Sequence, residues 1–228
     1  TAASTGRKLF GLFGGVGGRA TAGQAQDLPG TPHLMAASLE EPSLRDSTLA
    51  ALQVLSHDPD GFFVMIEQGS IDGANHSNDF SGMVSGVADL DAAVRAALAF
   101  VDQPGDRVDW ANTLMLVTAD HADGYLRLSD RRPLGAGDLP RQEGTCAHDK
   151  SLCSYPDGEI SYRVGEHTNE LVRLYARGAG AERVRSLEGQ WYPGQRLIDN
   201  TQIFHLMMAA AGLPQAPTLR IVRPPARR

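Results

Sequence analysis

The stretch FFVMIEQGSIDGANHSND, residues 62–79, decides how this chain is read. It opens on a short continuous apolar run, FFVMI at 62–66, the pattern of a strand covered on both faces in a parallel sheet. The run ends at Glu67, and Asp72, Asn75, His76, Asn78 and Asp79 follow close behind. So many oxygen and nitrogen donors at the end of a buried strand are costly unless something binds them. Glu67, Asp72 and His76 form the pattern E-x4-D-x3-H, which sets hard oxygen donors and an imidazole on one loop. Zinc takes aspartate oxygen and histidine nitrogen, whereas a glutamate with no nitrogen partner suits magnesium, so two adjacent metals would account for the mixture. The plainer reading is an Asx-rich turn whose side chains cap the helix that follows.

Working outward, Gly82 to Val101 predicts a helix with Val84, Val87, Leu90, Val94, Leu98 and Val101 on one buried stripe. Upstream, Leu44, Leu49, Leu52 and Leu55 recur at helical spacing between Pro42 and His57. NTLMLVTADH, 112–121, is a second apolar strand and ends in Asp120 and His121. The order strand, helix, strand implies a right-handed parallel crossover, and ligands of such sheets bind beyond the carboxyl ends of the strands. Glu67 and the Asp120–His121 pair are therefore expected on one rim, as part of a three-layer α/β/α sandwich with a mainly parallel sheet. Alone, an Asp–His pair after a strand reads as a solvated turn, and His167 in the EHTN turn reads as a surface histidine. It is their convergence on one sheet edge that points to a site. His33, His57, His148 and His205 have no such company.

Residues 129–161, with PLGAGDLPR and SYPDGE, read as a long irregular insertion, a kind of loop that is usually functional or mobile. Leu171 to Ala176 reads as a strand. Residues 199–212 read as a helix bounded by an Asp199 cap and Gly212. Residues 1–41 read as an irregular lead-in rich in glycine and alanine. Its GLFGGVGG lacks the following GK[ST] of a phosphate loop.

With 228 residues, of which 42% are hydrophobic, the chain can bury a full core. A net charge of -6 without long basic runs argues against a nucleic-acid or anionic-membrane surface. No window reaches the length of an apolar membrane span. The chain opens at Thr1 without a methionine, so a leader or a longer upstream region is expected. Cys146 and Cys153 admit three readings: a disulfide, which would place the protein outside the cytoplasm, free thiols, or a structural zinc shared with His148.

Four motifs in order, IEQGSIDGANHSND, VTADH, the EHTN turn with LVRLYARGAGAE, and DNTQIFHLM, together resemble the carboxyl-terminal half of alkaline phosphatase, from about residue 60 to residue 212. The resemblance implies hydrolysis of phosphate monoesters, with release of inorganic phosphate, at a site of two zinc ions and one magnesium. By position, Glu67 matches the magnesium ligand, Asp72, His76 and His167 match the ligands of the first zinc, and Asp120 and His121 match two ligands of the second. It implies double in-line displacement through a phosphoseryl or phosphothreonyl intermediate, a periplasmic or extracellular location, and a homodimer as one form of assembly.

Two departures matter. Gly73 follows the zinc aspartate where some relatives carry Lys, His or Trp, and Ala122–Asp123 follows the Asp–His pair. The family's nucleophile and its phosphate-gripping arginine are not recognisable here, since no serine before Glu67 stands in the expected DS-[AG] context. Residues 42–228 are thus expected to be the later part of an incomplete domain, with the upstream half supplied by the same or another polypeptide. The rival readings are a phosphodiesterase or other metal-dependent member of the same superfamily, and a non-catalytic zinc-binding module or inactive fragment.

Overall fold

The computed structural model describes residues 6, 8–11, 13, 42–105, 107–146 and 152–214. The lead-in and its glycine run lie almost wholly outside these, as does His148. The described residues divide into two compact units, the first within 1–107 and 118–173, the second within 108–117 and 174–228.

The first unit is built on two helices, α1 (Leu44–Leu55) and α3 (Phe80–Val101). Ser43 caps α1 by accepting from the Asp46 amide at 3.1 Å. Thr48 and Leu52 carry its buried face. The stripe that α3 buries is not the expected valine row. Ser85, Gly86, Ala93, Ala96, Ala97 and Phe100 are buried together with Val101, the last of the expected row, whereas Val84, Leu90, Val94 and Leu98 are half-buried and Val87 is exposed. Small residues win here because they let a neighbour approach closely: a Cβ on Gly86 would lie 2.8 Å from Cγ1 of Ile71.

Ile71 belongs to a helix that the sequence reading took for a loop, α2 (Ser70–His76). Its ends are satisfied locally. The Gln68 Oε1 accepts from the Ser70 amide at 3.2 Å, Asn75 Nδ2 donates to the Ile71 carbonyl at 2.9 Å, and Ser77 Oγ donates to the Gly73 carbonyl at 3.2 Å. Gln68 also donates to Asp89 on α3 at 2.5 Å, which ties the entry of α2 to the longer helix. Burial pushes the Asp89 carboxyl above its usual range.

The FFVMI run is extended but is not a strand. Its residues alternate between half-buried and exposed, with Phe63 72% and Met65 77% exposed, because no described segment lies beside it to complete a ladder. The parallel crossover is accordingly not formed among the described residues. Every ladder there is a two-stranded antiparallel pair. In the first unit, β2 (Ala122–Asp123) pairs with β5 (His167–Thr168), and β3 (Arg127–Leu128) pairs with β4 (Ile160–Ser161). In the region read as an insertion, 129–161, the described residues include paired segments. A Glu143–Ser154 bridge closes it into a ribbon, and Cys146 and Cys153 form a disulfide across that ribbon. The disulfide removes the free-thiol and structural-zinc readings.

In the second unit, β1 (Leu114–Val117) pairs antiparallel with β6 (Tyr175–Gly178), a strand that begins later than the 171–176 read from the sequence. Of the apolar stretch 112–121, only Leu114–Val117 is strand. Gly178 adopts φ +95, and a Cβ there would fall 2.0 Å from the Thr113 carbonyl oxygen, so the position admits only glycine. Arg177 lies 4.0 Å from the centre of the Trp110 ring, an ordinary cation–π distance. After the short helix α4 (Arg183–Leu187), α5 (Asn200–Ala210) starts at the expected Asp199. Asp199 accepts from the Thr201 amide at 3.1 Å, and Gln202 returns a contact to the Asp199 amide at 2.7 Å, which completes a capping box. No helix among the described residues is long and apolar enough to cross a membrane.

Two measurements check this packing. Gly86→Val should cost about 1–3 kcal/mol by overpacking against Ile71, seen as a lowered midpoint of thermal unfolding. Hydrogen bonding to Thr201 holds the Asp199 carboxyl below its usual range. Its contribution to stability is therefore full above the ordinary aspartate pKa of about 3.9 and is lost as pH falls through the lower folded value. Asp199→Ala should cost about 1 kcal/mol near neutrality. That difference should close in strong acid when wild type and variant are unfolded in parallel across pH.

Candidate metal centre

Asp72 and His76 sit four residues apart on α2, so both project from one face of that helix. The β2–β5 register sets Asp123 directly opposite His167. These two placements bring Asp72, His76, Asp123 and His167 together, and one ligand atom from each lies within 4.8 Å of the others. His76 Nε2 is 3.4 Å from Asp72 Oδ2, His76 Nδ1 is 3.4 Å from Asp123 Oδ2, and His167 Nε2 is 3.3 Å from Asp72 Oδ1. His76 Nδ1 also meets the Gly165 carbonyl at 2.6 Å. A carbonyl can only accept, so Nδ1 carries a proton, and with Nδ1 so engaged Nε2 is the ring nitrogen that can be offered to a cation. That hydrogen bond is the main cause that raises the His76 pKa, aided by Asp123, Asp72 and Glu166 against the effect of burial.

Asp123 is the residue that the sequence reading left without a role. Its side chain is only 4% exposed. Neither of its oxygens has a well-aligned hydrogen-bond donor, and Asp72 Oδ1 is likewise buried without one. Burial raises the Asp123 pKa, the His76 ring lowers it, and Asp72 raises it again. Two carboxylates turned toward one point beside two imidazoles are destabilising unless a cation sits among them. Two histidine nitrogens and two aspartate oxygens are a donor set for tetrahedral zinc, so the residues fit a divalent metal. Before folding, the signal for Asp123 was weak, since it stands two positions past the Asp–His pair, on the same face of an extended chain as His121.

His121 joins the edge of this group by stacking on His167, with ring centres 3.5 Å apart, and its Nδ1 is buried without a partner. Its Nε2 lies 3.2 Å from Asp120, whose side chain is 85% exposed. Glu67 is exposed and stands outside the four-residue group. The structure therefore brings the three expected first-zinc ligands together and adds Asp123. It sets Asp120 and His121 alongside them, and leaves Glu67 apart.

Comparison with known proteins shows the family to which the chain belongs. A family model for alkaline phosphatase matches residues 5–136. The chain is 33% identical over 173 residues to alkaline phosphatase of Escherichia coli (strain K12), covering 75% of this chain and 32% of that protein. It is 32% identical over 234 aligned positions to streptomycin-6-phosphate phosphatase of Streptomyces griseus, covering 93% of this chain and 46% of that one. Among solved structures, a mutant TAB5 alkaline phosphatase with Mg bound in its M3 site superposes with a TM-score of 0.52 at 28% identity, over 75% of this chain and 42% of the other. The chain belongs to the alkaline phosphatase family. It spans about a third to a half of the length of these relatives.

If the group takes zinc, added zinc stabilises the folded chain. At a hundred times its dissociation constant the gain is about 2.7 kcal/mol. Asp123→Asn should shrink the zinc-dependent rise in unfolding midpoint, each tenfold loss of affinity removing about 1.4 kcal/mol of it. An unchanged rise would mean that Asp123 does not face the metal.

Proposed function

We propose that this chain supplies most of the metal ligands of a phosphomonoester hydrolase. Asp72, His76 and His167 would hold one zinc, Asp120 and His121 a second, and Glu67 a magnesium. The carrying observation is buried Asp123 beside Oδ1 of the half-exposed Asp72, carboxylate oxygens enclosed without a well-aligned donor that converge with two imidazoles. The names of the relatives supply the chemistry, since both curated relatives described above are phosphatases. Bound there, the metals would supply Lewis acidity at phosphorus and charge neutralisation on the entering and leaving oxygens.

The chain's own residues prepare that site. The Gly165 carbonyl fixes the tautomer of His76 and orients its ring. Asp72 spans both histidines, one through each oxygen, and so sets their separation. Asp123 adds buried negative charge beneath His76, favouring a cation over a neutral occupant. The nucleophile that would carry the phosphoryl group and the arginine that would grip phosphate are assigned to polypeptide upstream, because no residue before Glu67 stands in the context they need. The disulfide is consistent with a periplasmic or extracellular setting.

The experiment uses two preparations. The 228-residue chain alone should turn over p-nitrophenyl phosphate at or near background. The full-length protein should hydrolyse it, lose activity to EDTA, recover it with zinc and magnesium, and prefer the monoester to bis(p-nitrophenyl) phosphate. In that protein, His76→Ala and Asp72→Asn should each lower kcat/KM by about 100-fold or more. Steady EDTA-sensitive turnover by the short chain would overturn the division of labour. Better turnover of the diester would overturn the substrate class.

A further inference from the structure

The joint between α2 and α3, residues 77–79, begins one residue past His76, and it is buried together with the first two residues of α3, Phe80 and Ser81. Its backbone turns through Asn78 at φ 54, a conformation an asparagine adopts more readily than most residues. A buried joint must satisfy the open amides of the helix it starts. Asp79 caps only part of α3, accepting from the Gly82 amide at 2.9 Å.

The rest comes from the disulfide-closed ribbon. Tyr155 Oη accepts from the Phe80 amide at 2.8 Å, and Gln142 Oε1 accepts from the Ser81 amide at 3.3 Å. Tyr155 turns its single hydroxyl hydrogen to the Asn78 carbonyl at 2.5 Å, with Gln142 Oε1 as a further acceptor at 2.9 Å. Gln142 Nε2 donates to Asp79 Oδ1 at 2.9 Å and lies 3.0 Å from Cys146 Sγ. The Cys153 amide donates to the Ser77 carbonyl at 3.1 Å. Gln142 and Tyr155 flank the antiparallel Glu143–Ser154 bridge on the same side and face each other across it, so both segments of the ribbon hold the joint.

We propose that Tyr155 and Gln142 are positioning residues for the metal centre: the disulfide-closed ribbon fixes the turn from α2 into α3 so that Asp72 and His76 meet Asp123 and His167. This rests on the reading of those four residues as a metal site. The mechanism is geometric. α2 has only seven residues and no buried residue of its own, so beyond the approach of Ile71 to Gly86 and Ala74 to Gly82 its direction depends on how its ends are held. Its entry is held by Gln68 on Asp89, and its exit by this clamp. Loosening the exit leaves the helix formed but lets the two ligands drift from the other two. Partners that orient metal ligands from outside typically change affinity by about 10–100-fold when removed.

The test is zinc affinity in the full-length protein, measured by competition with a chelator of known affinity, beside the unfolding midpoint and helical circular dichroism of the metal-free form. Tyr155→Phe, Gln142→Ala and the double variant Cys146→Ser/Cys153→Ser should each raise the zinc dissociation constant by about tenfold or more with helix content kept. Arg141→Ala is the control: it lies on the same ribbon but faces Glu143 and Asp157, and should leave the affinity unchanged. A lowered metal-free midpoint with wild-type zinc affinity would show that the clamp only stabilises the fold and overturns the proposal. If Tyr155→Phe fails to fold, Gln142→Ala decides by the same criterion. A wild-type protein that binds no zinc overturns the proposal by a separate route, because it removes the metal reading itself and not merely the clamp.

Discussion

The described part of the first unit is organised by one constraint, a buried carboxylate set against a second carboxylate and two imidazoles. Asp123, 4% exposed, faces His76 at 3.4 Å and shares its surroundings with Asp72. Left to itself such a group would be neutralised or turned out to water. Here it is held by a two-residue ladder that fixes it opposite His167, and by a helix that presents Asp72 and His76 to it. The fold spends local stability to converge these charges, which is the signature of a site rather than of a core.

That convergence depends on small residues and on side chains that replace missing backbone partners. Gly86 lets Ile71 approach α3, Gln68 stands in for a cap on α2, and Tyr155 and Gln142 serve the amides that open α3. They act by direction, limiting where a short helix can point, and a metal centre is sensitive to direction because its ligands must meet within tenths of an ångström.

The extended run at 62–66 shows the opposite situation. Phe63 and Met65 face outward although their sequence is that of a covered strand. A strand's hydrogen bonds and its covered faces both come from neighbours, so apolar character alone cannot make one. The same reason explains why β6 begins at Tyr175 rather than Leu171: its extent is set by pairing with Leu114–Val117 and by the tight fit of Gly178 against Thr113.

What the sequence determined by itself was local or carried by motif. The helices at 44–55 and 200–210 announced themselves by spacing and caps, because hydrophobic period and cap chemistry act within a few residues. The residue types at 72, 76 and 167 were legible as a combination whose chemistry points to a cation, and the structure brings those three side chains together. Tertiary structure alone decided that 70–76 is a helix, that Asp123 joins the group, and that Cys146 and Cys153 pair. Each of these rests on a neighbour distant in the chain: Asp89 for the entry of α2, His167 for the place of Asp123, and the Glu143–Ser154 bridge for the two cysteines. Such contacts are made in space, where no window of sequence can display them.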